Sequence, residues 1–369
     1  MRLLVCAGMT GGGMYPALAV LQALKNKTES VLWVGSRSGM EETLLSQYAL
    51  PYTSISAAGI HGVDLKHLPK NGLQLVNGWR ESKAILNEFK PDVIFYTGGY
   101  VGVPMSIAAH TIPSVVFIPD IEPGLALKII MRSAHAIAVN AEISRQYIPH
   151  KEMTHITGYP LRSEIVKWSG PESRKHFNIP MDAKVLFVYG GSKGARSINQ
   201  ALLPILDKLI SKMHVIHVTG EDNWQSVQES KEIQKVLRLP QYHPFPFLHD
   251  DMGAAFSAAD LAVCRAGAST LGELPFFGLP AIMVPYPHAW RYQYQNALFL
   301  AKNGGAEILE DINLSPELFE KVNEIITDEK KLETMKNKMQ KIAVKNAAQS
   351  IANLILEVGR VKQEQGGSK

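Results

Sequence analysis

The sequence predicts an α/β protein made of two doubly wound domains, each with a parallel sheet. Three observations support this fold class. The chain has 369 residues, which is longer than a single hydrophobic core usually supports. Short apolar runs alternate with amphipathic helical stretches, the pattern of βα repeats. A glycine-rich turn between a strand and a helix occurs near residue 10 and again near residue 190, which indicates that the architecture restarts near the middle of the chain.

The first half begins with an apolar run at residues 1–7. It resembles the start of a signal peptide, but the glycines follow too soon for a complete apolar segment, so a first β-strand is the better interpretation. Further strands are predicted in short runs rich in β-branched residues, at 30–35, 92–96, 114–118 and 136–139. Their alternation with helical segments predicts a parallel sheet covered by helices on both faces.

The second half repeats this pattern. Predicted strands lie at 185–189, 213–218, 242–247, 261–264 and 281–284. Gly158 and Pro160 end the first series, so we expect an N-terminal domain at 1–158 and a second domain at 159–340. The final segment, 341–369, is expected to return to the first domain as the end of a long helix over about 332–361, with a frayed tail.

Composition excludes several classes of protein. The net charge of +4 is too small to indicate a nucleic-acid partner, and the residues are 46% hydrophobic and 20% charged, as in ordinary globular proteins. The longest uncharged stretch, 93–109, is interrupted by glycines and a proline, so no membrane span is predicted. Cys6 and Cys264 each end an apolar run, which favours buried thiols in a reducing compartment and gives no metal-ligand pattern.

Ligand sites are expected at the C-terminal ends of the strands, at the point where strand order reverses. Two domains that face each other across a cleft would bring two ligands together there, as a transferase requires. The first glycine turn, taken alone, fits a phosphate cradle or a plain tight turn equally well.

Several motifs together resemble one family. They occur in the order 7–17 (AGMTGGGMYPA), 97–101 (TGGYV), 157–162 (TGYPLR), 190–196 (GGSKGAR) and 264–273 (CRAGASTLGE). In this order they resemble the MurG family, bacterial transferases that move N-acetylglucosamine from a UDP-sugar to the undecaprenyl-linked muramyl-pentapeptide precursor of peptidoglycan. The resemblance implies the GT-B fold, inversion at the anomeric carbon, and no cofactor, since the UDP-sugar is itself a substrate. Metal dependence and oligomeric state are not indicated.

The resemblance implies a donor site in the second half. Gly191 and Ser192 would meet the diphosphate through backbone N–H groups and a hydroxyl, together with the guanidinium of Arg162. Glu273 would accept the ribose hydroxyls, unless it serves only as a helix-dipole partner. The remaining donor residues implied by the family motifs are His249, through its backbone at the uracil, and Ala268, Thr270, Leu271, Gln293 and Asn296.

Other residues leave alternatives open on the donor side. Tyr292 stands where the family usually has a glutamine, which leaves the identity of the donor sugar open. Arg162 alone would also fit a surface ion pair. His217, before Val218, is interpreted as a histidine of the core at a strand end more readily than as a base.

The acceptor side departs from the family pattern. The implied acceptor residues are two glycine turns and their neighbours: Thr10, Gly11, Gly12, Gly13, Tyr15, Gly98, Gly99 and Tyr100. Gly13 replaces a family histidine, and Phe117–Ile118–Pro119–Asp120 replaces a His-Glu-Gln-Asn motif. Two groups associated with acceptor activation are therefore missing.

An inverting transfer needs a base for the acceptor hydroxyl. We expect Asp120 in that role, with Glu122 second, because both lie on a loop that follows a predicted strand. The alternative is that these carboxylates cap a helix that begins near Leu125. His61 and His110 are weaker candidates for the base.

The resemblance also implies a membrane contact. The segment 66–83 combines leucines and a tryptophan with cations, which suits an interfacial surface or an ordinary amphipathic helix. The expected location is the cytoplasm, at the inner face of the plasma membrane. Alternative functions are a MurG paralogue that glycosylates another lipid or small acceptor, a non-catalytic nucleotide-sugar binding protein, and a UDP-sugar epimerase of the same fold.

Overall fold

The chain folds into two compact units. The structure is a computed structural model that describes residues 1–8, 11–37, 45–46, 48–58, 68–191, 194–289 and 291–366, without the side chains of 68–70 and 361–366. Unit 1 comprises 1–162 with 346–369, and unit 2 comprises 163–345. These limits lie beside the expected boundaries at 158/159 and 340/341, and the roles assigned to the two domains stay predictions.

Unit 1 contains a seven-stranded sheet in which every described pairing is parallel. Its strands are β1 Arg2–Cys6, β2 Ser30–Ser36, β3 Tyr52–Ile55, β4 Val93–Tyr96, β5 Ser114–Ile118, β6 Ala136–Val139 and β7 Thr154–Ile156. The first four described helices are α1 Gly11–Ala23, α2 Leu68–Phe89, α3 Gly102–Ala108 and α4 Leu125–Ile130. Strands β4, β5 and β6 are buried along their whole length, as expected for the middle of a sheet covered on both faces.

The strand order of unit 1 is β3-β2-β1-β4-β5-β6-β7. It reverses between β1 and β4, where Cys6 lies opposite Tyr96. The turn after β1 and the turn after β4 therefore leave the sheet side by side. This is the position at which open α/β sheets bind ligands.

Unit 2 contains a six-stranded parallel sheet. Its strands are β8 Val185–Tyr189, β9 His214–Val218, β10 Tyr242–Phe245, β11 Leu261–Cys264, β12 Ala281–Met283 and β13 Ala306–Ile308. The helices are α5 Ser163–Val166, α6 Gly170–His176, α7 Arg196–Leu202, α8 Leu206–Ile210, α9 Glu221–Gln228, α10 Lys231–Val236, α11 Met252–Ala258, α12 Thr270–Phe277, α13 Tyr292–Lys302, α14 Leu314–Thr327 and α15 Glu329–Lys341.

The strand order of unit 2 is β10-β9-β8-β11-β12-β13. It reverses between β8 and β11, where Tyr189 lies opposite Cys264. The second glycine turn follows β8, and the loop that begins with Arg265 follows β11. Both units thus present glycine-containing loops at their switch points.

The last described helix, α16 Ala347–Gly366, belongs to unit 1. It packs against α1 and strands β4, β5 and β6, and buries Ile351, Ala352 and Ile355 completely. The single helix predicted over about 332–361 is wrong: α15 ends at Lys341 and α16 begins at Ala347. The chain passes from unit 2 back to unit 1 in the residues between these two helices.

The strands predicted from the sequence are present, apart from differences of one or two residues at their ends. Three strands were not predicted, namely β3, β7 and β13. Each has three or four residues and lies at the edge of a sheet. None of the described helices is both long and apolar enough to cross a membrane.

Candidate active site

The two glycine turns of unit 1 are in direct contact. Gly99 has φ of +85°, and a Cβ there would lie 3.0 Å from the carbonyl oxygen of Gly8, so only glycine fits without strain. Gly98, with φ of +122°, is also in a region that favours glycine. Thr97 Oγ1 donates a hydrogen bond of 2.7 Å to the carbonyl of Gly13. The structure therefore brings together the turns predicted at 10–13 and 98–100, although Thr10 lies outside the described residues.

Gly13, where the resemblance implies a histidine, is buried in the first turn of α1. A Cβ there would lie 3.4 Å from the carbonyl oxygen of Thr97 and 3.6 Å from its Oγ1, which are ordinary contacts. Backbone conformation and space at Cβ therefore do not require glycine at this position.

Arg162, predicted with the donor residues, lies in unit 1 near the turns that were predicted to bind the acceptor. Its Cζ lies 4.4 Å from the centre of the Tyr15 ring, and its Nη1 donates to the Tyr48 hydroxyl at 3.1 Å. Tyr159 Oη donates to the carbonyl of Gly12 at 3.2 Å. The segment that contains Tyr159 and Arg162, after which the chain enters unit 2, thus contacts the start of α1.

The acidic turn after β5 places its two carboxylates in different environments. Glu122 is buried and lies 3.5 Å from Lys128 Nζ in α4, while Asp120 is half-buried. Gly124 occupies the N-cap of α4 and makes no side-chain cap. Glu122 is thus a buried carboxylate paired with a lysine that is 41% exposed, and Asp120 is the more accessible carboxylate of the two.

Asn140, which the sequence reasoning missed, holds this turn. Its Nδ2 donates to the carbonyl of Pro119 and, at 3.4 Å, to that of Ile118. Its side chain is buried at the C-terminal end of the neighbouring strand β6. A polar residue directly after an apolar strand was the available signal, because such positions lie at the ligand-binding edge of the sheet.

The backbone of the glycine turn after β8 lies close to the loop that follows β9. Gly191 and Gly194 have φ of +87° and +75°, and Gly194 N–H donates to the carbonyl of Gly191 at 2.9 Å. A Cβ on Gly194 would lie 2.2 Å from the carbonyl oxygen of Thr219, so a side chain is excluded there. Ser192 lies outside the described residues.

The loop after β11 carries the predicted ribose residue. Glu273 is half-buried in the first turns of α12 and accepts a hydrogen bond of 2.8 Å from Ser269 Oγ. Thr270 Oγ1 donates to the carbonyl of Gly267 at 2.6 Å, which closes the loop. Thr270 and Leu271 are buried, whereas Ala268 is half-buried.

Gln293 and Asn296, predicted as donor-sugar residues, differ in their surroundings. Gln293 is half-buried, and its Oε1 accepts from the backbone N–H of Tyr286 at 2.9 Å. Asn296 is fully buried, and its Nδ2 donates to the carbonyl of Ala266 at 3.0 Å. Asn296 therefore supports the loop that carries Glu273.

Arg265 is a second residue that the sequence reasoning missed. It is largely buried, pairs with Asp311, and donates from Nη2 to Ser197 Oγ at 2.6 Å. Its Nη1 also donates to the carbonyl of Val284 at 3.3 Å. One guanidinium thus joins α7, the loop after β12 and the 3₁₀ turn Asp311–Asn313, all next to the β8–β11 switch point.

His217 is a fully buried histidine of strand β9. His217 Nε2 donates to Asn199 Oδ1 at 3.0 Å, and its Nδ1 accepts from the Tyr242 hydroxyl at 2.9 Å. Complete burial lowers the pKa of His217 to about 3. The interpretation of His217 as a core histidine is confirmed. His249 is exposed and lies against the Phe247 ring, with centroids 4.8 Å apart.

Some predicted positions lie outside the described residues. His61, Lys66 and residue 67 are not among the described residues, and the side chains of 68–70 are not described. Among the described residues, no group of three or more His, Cys, Asp or Glu side chains is arranged to hold a metal ion.

Family models match both halves of the chain. The glycosyltransferase family 28 N-terminal domain matches residues 3–139, and the glycosyltransferase family 28 C-terminal domain matches residues 185–353. A protein of Halothermothrix orenii is 34% identical over 98% of this chain and 100% of its own length. It is named UDP-N-acetylglucosamine–N-acetylmuramyl-(pentapeptide) pyrophosphoryl-undecaprenol N-acetylglucosamine transferase, the enzyme abbreviated MurG. This chain belongs to the MurG family.

Other relatives agree with this assignment. The MurG relative of the same name from Halalkalibacterium halodurans is 32% identical over 98% of this chain and 100% of its own length. The crystal structure of Acinetobacter baumannii MurG matches with a TM-score of 0.75 and 25% identity, covering 96% of this chain and 99% of that one. The resemblance to the MurG family and the GT-B fold are confirmed.

A UDP-GlcNAc 2-epimerase from Neisseria meningitidis has the same fold. Its structure matches with a TM-score of 0.68, covering 97% of this chain and 100% of that chain, at 16% identity. That likeness shows the fold alone, whereas the identity to MurG relatives extends along the whole sequence.

Proposed function

We propose that this MurG-family protein transfers N-acetylglucosamine, with inversion, from UDP-N-acetylglucosamine to a lipid-linked N-acetylmuramyl-pentapeptide acceptor. The observation that carries the proposal is the match of nearly the entire chain to transferases of that name. Both ligand-binding ends of the fold are retained: each unit has its glycine turn at a sheet switch point.

The proposed donor residues include Gly191, Ser192, Glu273 and Gln293, together with Arg162. The backbone N–H groups near Gly191, with Ser192, would bind the diphosphate, and the guanidinium would neutralise its charge. Glu273 would accept the ribose hydroxyls, its orientation supported by Ser269. Gln293, whose amide oxygen accepts from Tyr286 N–H, would donate from its amide nitrogen to the sugar.

Asp120 is proposed as the base. The acceptor hydroxyl attacks the anomeric carbon and its proton passes to the Asp120 carboxylate, while the bond to the diphosphate breaks and its electron pair leaves with UDP. Support comes from the contrast between half-buried Asp120 and Glu122, which is buried against Lys128. Asn140 holds the turn that carries both carboxylates.

The base assignment is tested with two matched variants. Asp120→Asn is expected to lower kcat at saturating substrates at least a hundredfold, the lower range for loss of general base catalysis. Glu122→Gln is expected to reduce the thermal midpoint instead, because it leaves Lys128 without its buried partner. Wild-type turnover by Asp120→Asn would remove Asp120 from this role.

Two departures from the family motifs favour an alternative function, in which the acceptor is a different molecule. Gly13 replaces the family histidine although a Cβ fits there, and Pro119–Asp120 stands in the place of the family motif after β5. The second candidate function is therefore transfer to another lipid or small acceptor by a MurG paralogue.

Product analysis separates these functions. The protein is incubated with a panel of UDP-sugars and with muramyl-pentapeptide, polyisoprenyl and diacylglycerol acceptors, and the products are measured by mass. A disaccharide on the muramyl acceptor supports the proposal, and a glycosylated alternative lipid supports the paralogue. An altered UDP-sugar formed without an acceptor would indicate an epimerase, and UDP binding without any product would indicate a non-catalytic binder.

We further propose that unit 1 contacts the inner face of the plasma membrane. Leu73 and Val76 of α2 and Ile107 of α3, on helices that pack together, are all exposed. Lys83 Nζ lies 4.1 Å from the centre of the Trp79 ring, so a cation adjoins this apolar surface. Apolar side chains next to cations are typical of interfacial surfaces.

Flotation with anionic vesicles tests this surface. Leu73→Ser/Val76→Ser is expected to lose vesicle binding, whereas the control Ile312→Ser, at an 82% exposed position of unit 2, is expected to retain it. Absence of wild-type binding at low salt would overturn the membrane proposal.

A further inference from the structure

Arg162 is embedded in unit 1 through contacts with aromatic residues. Its guanidinium stacks over the Tyr15 ring at 4.4 Å and donates to the Tyr48 hydroxyl at 3.1 Å. A third contact holds the same segment of the chain, because Tyr159, three residues before Arg162, donates a hydrogen bond to the carbonyl of Gly12. The edge-to-face packing of Tyr159 against Phe117, with centroids 5.7 Å apart, fixes the Tyr159 ring in turn.

These contacts restrict the orientation of the guanidinium. A ring face attracts the planar cation over its π-system, and the hydroxyl of Tyr48 determines the direction of one nitrogen. An arginine that must meet two phosphate oxygens benefits from such restriction, because fewer rotamers are lost on binding.

Tyr15 also belongs to the first glycine turn. A Cβ on Gly11 would lie 3.0 Å from Tyr15 Cε2, so the ring lies close over the first residue of α1. The same ring therefore contacts the arginine on which the donor diphosphate depends and the turn assigned to the acceptor.

We infer that Tyr15 is a positioning residue for Arg162, rather than an acceptor contact, and that it couples the first glycine turn to recognition of the donor diphosphate. The inference rests on the proposed function, since it takes Arg162 to bind UDP-sugar phosphates. If the inference holds, loss of the Tyr15 ring weakens binding of the donor. Loss of an acceptor contact would instead weaken binding of the acceptor.

The test compares Tyr15→Leu, Tyr15→Phe and Arg162→Lys in the full-length protein. UDP affinity is measured by calorimetry, and KM is measured for both substrates. Tyr15→Leu is expected to weaken UDP binding about threefold to tenfold, which is the range for a partly exposed cation–π contact. The KM for the acceptor is expected to stay within about twofold of the wild-type value. Tyr15→Phe, which keeps the ring face, is expected to restore most of the affinity. Thermal midpoints verify that each variant is folded.

The double variant completes the cycle. If Tyr15 acts through Arg162, Tyr15→Leu has little further effect on UDP affinity in the Arg162→Lys background. An increase in acceptor KM with unchanged UDP affinity would overturn the inference and return Tyr15 to the acceptor. Unchanged UDP affinity in Arg162→Lys itself would instead refute the proposed role of Arg162, and with it this coupling.

Discussion

At the scale of single residues, the two switch points share one arrangement. Cys6 lies opposite Tyr96 in unit 1, and Cys264 lies opposite Tyr189 in unit 2. All four side chains are buried at the strand ends, next to the glycine turns. Burial raises the pKa of both tyrosines well above the usual value, so each of these hydroxyls stays protonated beneath its turn.

The thiols are expected to be unreactive in the folded protein. Burial raises the pKa of Cys264 to about 12, so almost no thiolate is present at pH 8. Mass spectrometry after iodoacetamide treatment should show no label on Cys6 or Cys264 in native protein and two labels in guanidinium chloride. Rapid native labelling of Cys264 would contradict its burial.

The sequence predicts residues whose chemistry is local more readily than residues that act through the fold. Sequence motifs predict Gly99 in a glycine turn and Glu273 in the loop-to-helix segment. The position of Asp120 directly after a strand predicts that residue as well. Asn140 and Arg265 are not predicted, because their partners are backbone carbonyls and side chains far along the chain. The motif implies Asn296 as a donor residue, but only the fold shows that its side chain is buried.

The hydrogen bond between the two turns of unit 1 should be measurable in stability. Thr97→Val removes the donor to the carbonyl of Gly13 in a fully buried position, which costs about 1 kcal/mol, or about 2–4 °C in the thermal midpoint of a unit of this size. The control is Thr334→Val, which removes an exposed hydroxyl bonded to the carbonyl of Lys330. Equal effects of both variants would show that burial of the bond is unimportant.

At the scale of elements, apolar runs predict the central strands and the edge strand β10, but not the edge strands β3, β7 and β13. Strands such as β4 and β5 are continuous apolar runs because helices cover both faces. The unpredicted edge strands β7 and β13 have the sequences THI and AEI, too short and too polar to show a period. The break between α15 and α16 was equally hidden, because helical periodicity does not show where a chain changes unit.

Helix α16 should stabilise unit 1 although it follows unit 2 in sequence. Ile355 is fully buried on the face of α16 that packs against unit 1, so Ile355→Ala is expected to destabilise that unit by about 2–5 kcal/mol. Hydrogen exchange should become faster in β4 and β5, with little change in unit 2. Glu357→Ala, on the exposed side of the same helix, serves as the control and is expected to leave exchange unchanged.

At the scale of the whole molecule, three histidines of unit 2 are expected to make stability depend on pH. His214 Nδ1 lies 3.0 Å from His243 Nε2, with stacked rings. Burial, and then the charge of His214, lowers the pKa of His243 to about 4, while burial and Arg174 lower the pKa of His214. With His217, three histidines of unit 2 are kept neutral in the fold.

The sign of the pH effect follows from these directions. The unfolded chain takes up protons below about pH 6.5, the usual histidine pKa, whereas His243 and His217 in the folded unit do not until about pH 4 and about pH 3. The urea midpoint of unit 2 should therefore be level between pH 7 and 8 and fall between about pH 6.5 and 4. His243→Gln should reduce this fall, and the exposed control His110→Gln should not. A midpoint independent of pH would contradict neutral burial.

The position of α16 has a consequence for synthesis on the ribosome. Domains usually fold as they emerge, with the N-terminal one first. Here the N-terminal unit lacks the helix that covers β4, β5 and β6 until all of unit 2 has been translated. Unit 2 is therefore the first that can complete its core, and unit 1 has to keep an uncovered apolar surface on its sheet during that interval.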